Sequence, residues 1–262
     1  MRLLFIAFLT LCFSACQTVQ HSKVDPVHPD WALMDEETRE LFEKAEAGVT
    51  DAQNRLAIRY LQGEGGLPVD PAKAVTWFER SSEGGNRWAM SNLAKMYREG
   101  DGVEQDIAKA IDLFRQSAEA GNHQAMAHLA EFHASGDTGK IDFQLASFWY
   151  SRALLGPFDP WIANNAAWFF STVEDETFTK PELAVNLMLR VVSVRELYYE
   201  LDTLAAAYAA QGDFDSAIIA QQRALVMGYE NEAGEAEMND FENRLGTYFD
   251  RQRYIFYKRD AE

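Results

Sequence analysis

Cysteine is nearly missing from this chain. There are two in 262 residues, Cys12 and Cys16, and both lie in the first sixteen positions. From residue 17 onward no disulfide can form, so side-chain packing must hold the fold by itself. Clusters of Lys and Arg are missing too. The chain carries 24 basic against 41 acidic residues, a formal net charge of −17. Nucleic acids and anionic lipid headgroups call for a basic face, and no such face can be read here. No G-x-S-x-G, Walker loop, G-x-G-x-x-G or Cys–His pair occurs. His123, His128 and His133 are spaced by five. On a helix that step turns successive rings about 140° apart, so they do not share the one face a metal needs. The acidic run from Glu230 to Glu242 lacks the D-x-D-x-D-G order of a calcium loop and reads as a solvated loop. Neither a cofactor nor a metal is expected, nor a small-molecule substrate or enzymatic activity.

What is present begins with MRLLFIAFLTLCFSAC. One basic residue, Arg2, precedes an apolar run from Leu3 to Phe13, too short to span a bilayer permanently. This is the pattern of a secretory signal. Its ending, Ser14-Ala15-Cys16, resembles a bacterial lipoprotein signal, in which the cysteine is lipidated and becomes the new N-terminus. That resemblance implies residues 1–15 as signal peptide and lipidation at Cys16. Gln17, standing where Asp would imply inner-membrane retention, implies the outer membrane of a Gram-negative envelope, on its periplasmic side. A plain signal peptide cut near Ala15 is the alternative. Residues 16–34 then read as the lipidated cysteine and a flexible tether. Its part without periodicity, residues 17–30, would reach on the order of 20 Å.

The next feature is a repeat. GNRWAM (Gly85–Met90) returns as GNHQAM (Gly121–Met126), 36 residues later. The register extends far beyond these six positions. Ala52, Ala89 and Ala125 open three copies, and Leu56, Leu93 and Leu129 follow. Tyr60, Tyr97 and His133 come next, then Gly63, Gly100 and Gly136. Each copy continues with Asp70, Asp106 or Asp142, then Ala74, Ala110 or Ala146, then the bulky pairs Trp77-Phe78, Leu113-Phe114 and Trp149-Tyr150. Apolar residues at i, i+4 and i+8 make one helix stripe. Glycine gives the left-handed exit from the first helix, and Asp caps the second. The unit is a helix hairpin whose apolar side is covered only by stacking on its neighbours.

These residues resemble the Sel-1-like repeat, with Lys73-Ala74 and Lys109-Ala110 matching its second helix. The third copy departs, with His133 for Tyr and Leu145 for Lys. Farther on, LDTLAAAYAAQGDFDSAIIAQQRAL (Leu201–Leu225) resembles a tetratricopeptide repeat, on Leu204, Ala205, Tyr208, Gly212, Ala217 and Ala224. NNAAWFF (Asn164–Phe170) with Ala184 and Val191 is similar to a second, more divergent copy. The resemblances imply an all-α, right-handed α-solenoid of stacked antiparallel hairpins. Residues 35–156 would hold an N-terminal helix and three Sel-1-like repeats. Residues 157–262 would hold two tetratricopeptide-like hairpins and a closing helix over about 238–254.

In tetratricopeptide arrays the first helices line a groove, with side chains two before and two after the conserved Leu facing in. Transferred to this register, those positions give Asn54, Ile58, Ser91, Lys95, Ala127, Glu131, Asn164, Trp168, Asp202 and Ala206, with Arg98 one turn past Lys95. Lys95, Arg98, Asn164 and Trp168 suit a peptide, offering charge, an amide and an aromatic anchor. Core packing is the competing reading for Trp168. The resemblances imply a non-catalytic, lipid-anchored scaffold or adaptor for envelope proteins or peptide segments. The alternative is an assembly factor of a polysaccharide-secretion or peptidoglycan machine.

Overall fold

The computed structural model describes residues 29–258. Cys16 and the signal segment lie outside the described residues. Twelve α-helices follow one another: α1 (Glu36–Glu46), α2 (Thr50–Gln62), α3 (Pro71–Glu83), α4 (Arg87–Glu99), α5 (Ile107–Glu119), α6 (His123–Ser135), α7 (Phe143–Ala153), α8 (Pro160–Thr172), α9 (Pro181–Val194), α10 (Tyr198–Gln211), α11 (Phe214–Glu230) and α12 (Glu235–Phe249). They form an α-solenoid. Five hairpins, α2/α3 to α10/α11, stack in chain order, with α1 covering one end and α12 the other. None of these helices is long and apolar enough to cross a membrane.

The repeat positions do what their chemistry predicts. Gly63, Gly100 and Gly136 end α2, α4 and α6 in the left-handed conformation, at φ 69°, 73° and 87°. That is a region where a side chain is strained. Asp70, Asp106 and Asp142 accept from the N–H groups of Lys73, Lys109 and Leu145 at 2.9–3.0 Å. Phe78, Phe114 and Tyr150 are fully buried beside the alanines that let the helices approach.

The GN joint does more than turn the chain. Asn86 and Asn122 are buried and cap α4 and α6 through their side-chain oxygens. The Asn86 amide also donates to Asp51 at the start of α2 (2.8 Å). Ser81 and Ser117 donate to the carbonyls of Thr50 and Arg87, at 2.7 and 2.6 Å. The serine bonds close a hairpin on itself, and the asparagine amides tie each hairpin to the preceding one, Asn86 through Asp51 and Asn122 through the Arg87 carbonyl at 3.4 Å.

The third copy's two departures prove to be one. In the second copy the Lys109 ammonium contacts the Tyr97 hydroxyl. In the first, Lys73 lies 5.4 Å from the Tyr60 ring centre, and both reach Asp30. Tyr and Lys are partners across the hairpin, and the third copy has replaced both members.

Two boundaries differ from expectation. The tether does not extend to residue 34. Asp30 is buried, salt-bridged to Lys73 at 2.6 Å and hydrogen-bonded by Tyr60, and Met34 is buried in the core. The polar ends of Tyr60 and Lys73 supply the partners that hold this segment down. The closing helix runs over 235–249 and not to residue 254. Arg251 has φ 51°, and the chain beyond it has no regular structure apart from one parallel bridge of Tyr257 to Val173. Phe256 and Tyr257 donate to the Thr172 carbonyl (2.9 and 3.3 Å), and Glu174 donates to that of Tyr257 (2.9 Å).

Candidate functional site

The first helices α4, α6 and α8 line one face of the solenoid, here called the inner face. On it lies a cleft of about 410 Å³, bounded by Lys95, Arg98, Gln124, His128, Glu131, Trp161 and Asn165. Three of the sequence-predicted residues, Lys95, Arg98 and Glu131, meet there. His128 is the buried centre of the cluster, between the rings of Phe114 and Trp161, each 4.6 Å away. The Arg98 guanidinium lies 3.3 Å from His128 Nδ1, and Glu131 lies 3.6 Å from the same nitrogen. Glu131 is also 3.9 Å from Arg98, which pairs with Glu99 at 2.9 Å.

Electrostatics follow from this geometry. Burial pushes the His128 pKa down, and Arg98 and Lys95 push the same way against Glu131. Burial thus favours the uncharged ring, while Arg98 and Glu131 both face the same nitrogen, Nδ1. Contact with His128 holds the Glu131 carboxyl below the usual carboxylate range, and Arg98 adds to this. Lys95 is half-buried. Burial and then Arg98 lower its pKa, with Glu99 and Asp159 opposing. It makes no ion pair or hydrogen bond among the described residues, so nothing close offsets the desolvation of its charge.

The remaining predicted residues do not join this cleft. Asn54 accepts from Asn92 at 3.4 Å. Ser91 is buried in the packing between helices. Asn164 has a buried side-chain oxygen without a partner. Asp202 is not open to a partner at all. It is buried, with Arg244 at 2.7 Å and Gln221 at 2.8 Å. Burial raises its pKa, and the Arg244 charge opposes that rise. Trp168 is half-buried beneath the chain's own C-terminal segment. Tyr254 and Phe256 lie 6.0 and 5.7 Å from it, and Arg244 lies over its face at 5.5 Å. The groove positions near the α12 end were misplaced because the register says nothing of what a distant segment covers.

The cleft has its own register, and that signal was present. His128 and Asn165 stand one residue before the repeat's Leu position, and Gln124 and Trp161 stand five before it. The tetratricopeptide register points only to the positions two before and two after that Leu.

The model of the Sel1 repeat matches residues 50–86, 89–122 and 123–155. The chain carries three Sel1 repeats. They account for α2 to α7, less than half of the sequence. Solved structures extend the likeness in fold. A Sel1 repeat protein from Oxalobacter formigenes aligns over 73% of this chain and 84% of its own, with 20% identity and a TM-score of 0.55. The protective antigen c5321 of uropathogenic Escherichia coli aligns over 80% of this chain and 47% of its own (24%, 0.56). A Sel1 repeat protein of Klebsiella pneumoniae aligns over 78% and 99% (19%, 0.51). Cytochrome c oxidase assembly factor 7A of Xenopus laevis is 42% identical over 48 residues, which are 18% of this chain and 21% of that protein. At these identities the solved structures speak for the solenoid alone.

Proposed function

We propose that this protein is a non-catalytic scaffold, anchored by lipid at Cys16 in the outer membrane and facing the periplasm. It docks a segment of an envelope protein on the inner face of its solenoid. The hairpins α8/α9 and α10/α11 serve as tetratricopeptide-like units that extend this face. The observation that carries the reading is the cleft at Lys95, Arg98, His128 and Trp161. It is open and polar, and it lies on the face a stack of hairpins presents to a guest. An aromatic edge beside paired charges suits recognition of a polypeptide.

The test is crosslinking in cells from a photoreactive residue at position 165. Discrete adducts with envelope proteins, lost in Lys95→Glu, are the expected result, and their absence in the wild type sinks the reading. The anchor is tested separately. An alkyne fatty acid fed to cells labels the wild type and leaves Cys16→Ser unlabelled.

A further inference from the structure

The cleft has a charge problem that a partner can solve. The chain as a whole is strongly acidic, at −17. At the cleft Arg98 already has Glu99 at 2.9 Å and Glu131 at 3.9 Å, and Glu131 also lies against His128. Among the described residues Lys95 has no carboxylate in ion-pair contact, although Glu99 and Asp159 lie near enough to act on it through space. An ammonium held half-buried without a counter-ion destabilises the chain that holds it.

The neutral groups add a second constraint. The Gln124 amide nitrogen donates to Asp159 at 3.0 Å, and the Asn165 amide nitrogen donates to the Trp161 carbonyl at 2.9 Å. Both amides thus leave their oxygens as acceptors, which suit the N–H groups of a backbone. Trp161, 37% exposed, offers an aromatic surface next to them. Farther along α8 the chain's own residues 254–257 pack by Trp168 and are held by main-chain hydrogen bonds to Thr172 and Glu174 at that helix's end. Main chain thus already packs against the end of α8 within this molecule.

We infer that the cleft between α4, α6 and α8 takes a single carboxylate side chain from an extended segment of a partner protein. The carboxylate lies against Lys95 and Arg98, and a neighbouring apolar residue covers Trp161. The rest of that segment is neutral or basic, because the acidic surface repels a guest that carries more negative charge. This rests on the scaffold reading and names the chemistry of its guest.

Full-length protein, immobilised from detergent, is offered pools of ten-residue peptides built from Ala, Ser, Lys, Leu and Phe. The pools have blocked ends and one fixed central residue. The central residue is Glu in one pool and Gln in the other. The wild type should retain the Glu pool about 10-fold more strongly, the usual gain of a charge-assisted hydrogen bond. Lys95→Met, which keeps the aliphatic stem and hence the packing, should reduce that preference to below about 2-fold, and Lys95→Arg should restore most of it. Equal retention of both pools overturns the carboxylate inference and leaves the scaffold reading standing. Retention of neither pool overturns the inference, and if cellular crosslinks are also missing the scaffold reading fails with it. Retention of a polygalacturonate oligomer in place of both pools overturns the assignment to a polypeptide.

Discussion

The two halves of the inner face solve the same problem in opposite ways. At the α12 end the buried Asp202 is neutralised from within by Arg244 of the closing helix, and Trp168 is covered by Tyr254 and Phe256. Toward α4 the half-buried Lys95 has no ion-pair partner among the described residues, and the aromatic Trp161 stays part-exposed. One half is filled by the chain, and the other is left for something else. A charge whose counter-ion is internal contributes to the fold. A charge left without one is available to a guest.

The sharpest way to break this contrast is Arg244→Ala. It strands the Asp202 carboxylate in the core, and a loss of about 3–5 kcal/mol is expected in urea unfolding. Replacing both partners, Asp202→Leu with Arg244→Met, should recover most of that loss; an equally unstable double variant would mean the pair matters through shape alone.

Truncation after Asp250 comes next. It removes the aromatic cover of Trp168 and the main-chain bonds to Thr172. A loss of roughly 2–3 kcal/mol is expected from these contacts, with a red shift of tryptophan emission. Unshifted emission would show that the segment does not cover Trp168 in solution.

The third difference is in pH. Burial holds the pKa of His128 and of His133 below the ordinary value in the folded state. The unfolded chain therefore binds more protons as pH falls through about 6.5. Stability should be full above that pH and decline below it, by up to about 1.4 kcal/mol per pH unit for each histidine. Urea melts at pH 7.5 and 5.5 check this, and His128→Gln should flatten the slope. A steeper decline in the variant would reverse the assignment.

The smallest effect tests the repeat itself. His133→Tyr with Leu145→Lys rebuilds in the third hairpin the contact seen between Tyr97 and Lys109. The pair should stabilise by about 0.5 kcal/mol more than its two single changes together. Additivity in thermal melts would show that the contact contributes nothing.

Much of this could be read in the chain alone. The αL glycines, the capping aspartates and the buried aromatic of each hairpin were legible because each acts within its own turn of helix or on the next hairpin at a fixed interval. Lys95, Arg98 and Glu131 were legible as inward-facing for the same reason. The joints were legible as turns, but not their bond from Asn86 to Asp51, which spans 35 residues. The dependence of the Tyr60 and Lys73 pair on Asp30, which closes the N-terminal end, was not legible either.

By itself the sequence determined the architecture: stacked helix hairpins, where they turn, and which stripe of each helix is buried. These follow from local periodicity and capping, which repeat and so reinforce one another. Only the tertiary structure decided which inward-facing residues stay open. The Asp202–Arg244 pair spans 42 residues, and the Val173–Tyr257 bridge closes a longer path still. No local pattern encodes such contacts, because they depend on where the finished stack brings the last residues of the chain.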